Sequence, residues 1–203
     1  MGLQQRRAKY REEFRREILD AARELFINEG YEKFSMRKLA EKIDYSPTTI
    51  YLYFKDKDDL LLTICEEVAE QYFANLNHIR ARRMDPLDTL RHALLYFIEF
   101  GFKNPNQYRV FFFTRPDVYG TRDEYMEKES MARNSYVIFR EIVQDCIDAG
   151  KLQKLDTELL TQAFAAAVHG LVMMTILRKS FPWADRNKLA HTLVDGLLRG
   201  YLK

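Results

Sequence analysis

Between residues 35 and 57 the chain gathers side chains suited to holding a polyanion and reading flat ring edges. Thr48 and Thr49 carry short hydroxyls that can meet base edges, thymine methyls or phosphate oxygens. Tyr51 and Tyr53 offer phenolic O–H donors that suit phosphates. Ser35 and Arg37 stand at the start of one predicted helix, Ser46 caps the next, and Lys57 begins a third. Free N–H groups and the dipole make such helix starts favourable places for phosphate.

Bond-breaking chemistry finds no comparable set. The four histidines are His78, His92, His169 and His191, and none lies in E-x-x-H or H-E-x-x-H, the spacings a helical di-iron or zinc site uses. G-x-x-x-x-G-K-[ST], G-x-G-x-x-G and G-x-S-x-G are all absent. The carboxylates are interspersed with Lys and Arg at helical spacing, which solvation and i,i+4 pairing account for. Cys65 and Cys146 read as small buried hydrophobes. No catalytic residue, metal or cofactor is therefore expected, and the protein is expected not to be an enzyme.

Composition agrees with a soluble, helical chain. Of 203 residues, 47% are hydrophobic and 31% charged, and 8 Gly with 5 Pro are too few for the turns of an all-β sandwich or barrel. The longest nearly uncharged run, Ala163–Leu177, falls short of the ~20 residues of a membrane span and is expected to be a buried helix. No apolar stretch backs the charges of the first ten residues, so no secretory leader is expected, and two lone cysteines fit a cytoplasmic location. The net charge is only +2, yet six basic residues against two acidic ones in residues 1–16 leave four excess positive charges at that end.

The elements that must position the first set of side chains follow from periodicity and caps. Phe14, Ile18, Ala22, Leu25 and Phe26 mark a helix stopped by Gly30. Ser35 caps a helix with Met36, Leu39, Ala40 and Ile43 inward, and Ser46-Pro47 opens a short one over about 47–54. Asp56 caps a long helix carrying Leu60, Leu61, Ile64, Val68, Tyr72 and Leu76. Asp85-Pro86 and Asn104-Pro105 read as Asx caps with Pro at the first position, opening helices to about 103 and 113. Arg115-Pro116-Asp117 and Gly120 break the chain, a long helix runs to Ala149, Asp156 caps another to about Lys179, and a last one follows Pro182. The count is nine helices, with no strand and no repeat.

Two short helices joined by about three residues, the second with Ile50 and Phe54 turned inward beside Leu39 and Phe26, match a helix-turn-helix. Spacing alone also fits a generic helical hairpin.

The stretch S-M-R-K-L-A-E-K-I-D-Y-S-P-T-T-I-Y-L-Y-F-K-D-K-D-D-L-L, Ser35 to Leu61, closely resembles the DNA-binding domain of the tetracycline-repressor (TetR) family. Ile50, Tyr51, Tyr53, Phe54, Lys57 and Leu60 match the family's L/I-Y-x-Y/H-F-x-x-K-x-x-L pattern, and I-L-D-A-A-R-E-L-F-I-N-E-G-Y is similar to its first helix. The resemblance implies base contacts by Arg37, Thr48 and Thr49, phosphate contacts by Tyr51, Tyr53 and Lys57, and a cap with phosphate contact at Ser35. Asp44 and Tyr45 stand where the family usually has Gly and Val; Asp tolerates the left-handed conformation, and Tyr45 is large enough to fill the hairpin core. Pro47-Thr48 replaces a commoner small pair, so base preference does not transfer.

The resemblance further implies an all-α fold. A helix-turn-helix domain at 1–56 (core 35–54) precedes a helical effector-binding and dimerisation domain at 57–203. It implies a one-component regulator, expected to be a repressor, that binds a palindromic double-stranded DNA operator as a homodimer and is released by a small lipophilic effector, with no membrane partner. Ala166 and Gly170 on the penultimate helix, with Leu193 and Leu197 on the last, suit a dimer seam of four helices. Eight aromatic residues between Tyr96 and Phe113 suggest an aromatic effector pocket around Tyr96, Phe100 and Phe111, with His169 and Met173 facing it. A helical interaction module without sequence-specific DNA binding is the alternative.

Overall fold

The computed structural model describes residues 2–114 and 119–203, with the backbone alone at Phe113, Thr114 and Arg122. The break expected at Arg115-Pro116-Asp117 lies outside the described residues. Among those described there are ten α-helices: α1 (Leu3–Glu29), α2 (Met36–Lys42), α3 (Pro47–Tyr51), α4 (Lys57–Ala81), α5 (Pro86–Lys103), α6 (Pro105–Arg109), α7 (Arg122–Glu127), α8 (Met131–Asp148), α9 (Thr157–Leu177) and α10 (Arg186–Tyr201). A π-helical turn at Val110–Thr114 follows α6. The only strand-like feature among them is an isolated antiparallel bridge between Leu152 and Leu202.

Local chemistry explains most boundaries. Gly30, at φ 79°, closes α1 in a conformation that a side chain would strain. The Ser35 and Ser46 hydroxyls each accept the backbone N–H three residues on, at 3.2 Å, and Asp56 Oδ1 accepts those of Asp58 and Asp59. Two expectations need correction. Asn104 does not cap α6: its side-chain amide donates to the Phe100 carbonyl at 3.0 Å and so finishes α5. The long helix expected to end at Ala149 is two helices, because Ser130 is extended and caps Arg133, starting α8 afresh after α7; this makes ten helices rather than nine.

The chain forms two compact units, one of residues 1–68 with 106–128 and the other of 69–105 with 129–203. This differs from the contiguous division at residue 56. The reason is apolar: Leu60, Leu61, Ile64 and Cys65 on the first turns of α4, and Val110 after α6, belong to the same core as Phe14, Ile18, Ala22, Phe26, Leu39, Ile50 and Phe54. In that core Phe26 and Phe34 stack with centroids 4.2 Å apart.

In the second unit α5 packs with α8, α9 and α10. Arg91 on α5 is ion-paired with Asp195 on α10, and Lys151 Nζ lies 2.6 Å from Asp85 at the start of α5. At 21 residues α9 is longer than the apolar run seen in the sequence and would suffice, by length and composition, to cross a bilayer. Leu160, Phe164, Val168, Val172 and Ile176 on it are instead buried within the unit.

Candidate nucleic-acid interface

The first unit holds α3 by its inner face and leaves the outer one open. Ile50 is fully buried, and a tight turn beyond Tyr51, with Tyr53 and Phe54 N–H both donating to the Ile50 carbonyl, sets Phe54 beside it in the core. The helix is therefore shorter than the expected 47–54. The hairpin between α2 and α3 reverses at Asp44, whose φ of 57° is the left-handed conformation anticipated there, and the Tyr45 N–H donates to the Ala40 carbonyl at 3.0 Å. Tyr45 does not fill the hairpin core. Its ring leans on Phe14 at 4.3 Å and stays 38% exposed, because Phe14 already occupies the interior.

The predicted contact residues lie around this outer face in different states. Thr48 is open to solvent and Tyr51 is 52% exposed. Thr49 is half-buried, its Oγ1 2.9 Å from Ser46 Oγ. Tyr53 meets Phe14 edge-on at 5.1 Å, which fixes the ring and leaves it half-buried. Lys57 rests its ammonium 3.9 Å over the Tyr31 ring. Arg37 is exposed and paired with Glu41 at 2.9 Å, one helical turn on.

Sequence reasoning gave Leu52 no role and missed the contact between Tyr10 and Tyr45. Leu52 is 71% exposed beside Tyr51. Tyr45 hydrogen-bonds with Tyr10, which pushes the Tyr45 phenol pKa up. Arg11 lies with its guanidinium 5.6 Å from the Tyr53 ring centre. The basic character of residues 1–16 signalled the Arg11 contact in the sequence, whereas nothing there signalled the bond between the two phenols.

The aromatic run from Tyr96 to Phe113 is divided by the end of α5. In the second unit Tyr72 stacks on Tyr96 at 5.4 Å, Phe97 stands edge-on to Tyr72 at 5.7 Å, and Phe100 tilts against it at 5.8 Å. His169 packs on Phe97 at 4.4 Å, and burial lowers its pKa to about 4, so the imidazole is neutral near pH 7. Burial likewise raises the Tyr96 phenol.

Phe111 is not among these rings; it packs on the core of the first unit, edge-on to Phe112 at 4.5 Å. The side chain of Phe113 lies outside the described residues. Met173 does not face the rings either: it is 39% exposed and shares an outer stripe of α9 with Leu159, Ala166, Gly170 and Leu177. On α10, Leu193 and Leu197 are half-buried, and a Cβ placed on Gly170, Gly196 or Gly200 would meet open space.

Residues 18–64 match the family of bacterial regulatory proteins, tetR family, and residues 90–197 match the tetracyclin repressor-like C-terminal domain. Solved structures share the fold. A TetR family transcription regulator from Marinobacter aquaeolei superimposes with a TM-score of 0.73 at 20% identity, over 97% of this chain and 99% of that one. FadR from Bacillus subtilis, in complex with stearoyl-CoA, gives 0.74 at 21% identity over 91% and 97%. The fatty acid degradation regulator FadR from Bacillus halodurans gives 0.75 at 19% identity over 91% and 94%. With a helix-turn-helix built on α2 and α3 and two family matches along its length, this chain belongs to the TetR family of transcriptional regulators.

Proposed function

We propose that this regulator binds a palindromic double-stranded DNA operator as a homodimer, acts as a repressor, and is released by a small lipophilic effector. The observation that carries the DNA reading is the orientation of α3, anchored through Ile50 with Thr48 and Tyr51 turned to solvent. A reading helix needs that combination to enter a major groove without losing its footing. Thr48, Thr49 and Arg37 take base edges; Ser35, Ser46, Tyr51, Tyr53 and Lys57 take phosphates.

Dimerisation uses the open stripe of α9, including Ala166 and Gly170, with Leu193 and Leu197 of α10. Leu159 and Leu177 extend that stripe and are 63% and 58% exposed, an apolar surface that a second copy would bury. The effector lies among Tyr72, Tyr96, Phe97 and Phe100, with neutral His169 as its polar contact. The stearoyl-CoA held by the Bacillus subtilis relative supports a lipophilic molecule of that kind. Because α4 is one helix from Lys57 to Ala81, a ligand that shifts Tyr72 acts on the helix whose first turns carry Leu60, Leu61 and Ile64 of the reading unit. A dimer needs its recognition helices about 34–36 Å apart, so a small shift would spoil simultaneous engagement of both half-sites.

A mobility-shift titration against the DNA flanking its own gene is expected to give a discrete complex at about 10 nM protein or less. Equal binding to random DNA of the same length would favour the helical interaction module instead. Stearoyl-CoA is expected to release the complex by roughly 5- to 150-fold. Tyr96→Leu should change that response while ligand-free operator affinity stays within a few-fold; an unchanged response removes this ring from the effector site.

A further inference from the structure

Helix α1 begins at Leu3, whereas its first buried side chain is Phe14, so residues 3–13 form a solvent-exposed helical extension of the reading unit. This extension lies outside the family match, which starts at residue 18. On it Arg7 and Arg11, followed by Arg15, recur at i, i+4 and i+8 and so form a single row along the helix. The row runs onto the recognition hairpin. The Arg15 guanidinium lies 5.3 Å from the Phe54 ring centre and 3.7 Å from Glu67, and that of Arg11 lies 5.6 Å from the Tyr53 ring. Phe14 fixes the register of the row by packing on both Tyr45 and Tyr53.

Carboxylates hold several cations of the unit, Arg15 of the row among them. Lys9 is paired with Glu13, Arg23 with Asp20 and Glu67, Arg37 with Glu41, Lys38 with Glu29 and Lys42 with Glu24. Arg7 and Arg11, like Arg6 and Arg16 on the same helix, make no ion pair among the described residues; the place of Arg11 against the Tyr53 ring is what ties this row to the hairpin. A guanidinium against a tyrosine ring keeps its outer N–H donors available, and four residues of helix separate the two arginines by about 6 Å along the axis.

We propose that Arg7 and Arg11 form a second DNA-contact site, which binds phosphates of the duplex flanking each half-site and lengthens the footprint beyond the bases read by α3. The site rests on the DNA-binding reading above. Tyr53, already assigned a phosphate, is the point from which it extends: Arg11 grips the next stretch of backbone and Arg7 the one after.

The test compares two double variants with equal loss of charge on different faces, Arg7→Gln/Arg11→Gln and Arg6→Gln/Lys9→Gln. Glutamine keeps helix propensity, and all four positions are exposed, so both proteins should fold as the wild type does. The probe is a duplex that the wild-type protein selects from a random pool, used with long flanks and trimmed to the palindrome. On the long duplex the first variant should lower the salt slope by roughly 3–4 units for four arginines per dimer, and the second by much less. On the trimmed duplex the first variant should match the wild type. Equal effects of the two variants, or an effect that survives trimming, overturn the site while leaving operator binding intact. A wild-type protein that selects no duplex overturns the regulator reading, and this site with it.

Discussion

The Lys57 ammonium lies 3.9 Å over the centre of the Tyr31 ring, and the hydroxyl of that ring donates to Asp58, the next residue along α4. The end of α1 and the start of α4 thus hold one cation at a fixed place beside the recognition hairpin. Replacing Lys57 by Ala is expected to weaken binding to all DNA sequences alike and to flatten the salt dependence by about one unit per protomer. Titrations at several salt concentrations check this. A loss confined to one sequence would mean that Lys57 reads a base.

Thr49 is tied to Ser46 twice, through its N–H at 3.2 Å and its hydroxyl at 2.9 Å, whereas Thr48 is open. Ser46→Ala removes the cap of a five-residue helix and is expected to lower stability by about 1 kcal/mol and to blunt DNA affinity generally. Thr48→Ala should instead alter discrimination between sites by about 1–3 kcal/mol. Thermal melts beside competition binding separate the two outcomes; a general affinity loss from Thr48→Ala would reassign it to phosphate.

His169 ties the second unit to pH. Its folded pKa, near 4, lies below the ordinary 6.5 because burial disfavours the charged ring. Between those values the unfolded chain binds more protons than the folded one. This contribution is therefore whole above about pH 6.5 and lost as pH falls toward 4, on the order of 2 kcal/mol by pH 5. Denaturant unfolding followed at pH 7 and pH 5 should show that loss in the wild type and a smaller one in His169→Gln. An equal loss in both would place the acid sensitivity elsewhere.

Leu193→Arg sets a charge on the proposed seam of α10. Sedimentation is expected to give monomers, with operator affinity lost because a half-site alone binds weakly. A Leu193→Arg protein that stays dimeric and binds normally would locate the seam on another face.

The helix-turn-helix was legible in the sequence because its determinants are local. Ser35, Ser46-Pro47 and Asp56 act on N–H groups two or three residues away, Asp44 carries the left-handed turn by itself, and the spacing of Ile50 and Phe54 names the inner face. Side chains whose partners lie far along the chain were not legible. Whether Asn104 caps the following helix or closes the preceding one depends on which backbone group its amide can reach. The aromatic run from Tyr96 to Phe113 looked like one lining because sequence distance is short there. The tertiary structure assigns Tyr96 and Phe100 to one unit and Phe111 to the other, since the chain turns out of α5 at Asn104. Met173, apolar on an apolar helix, could face either way; only the packing of Val168, Val172 and Ile176 inward turned it outward. Caps and periodicity are properties of a few consecutive residues, whereas the lining of a cavity and the seam of a dimer depend on which faces remain after every helix has packed.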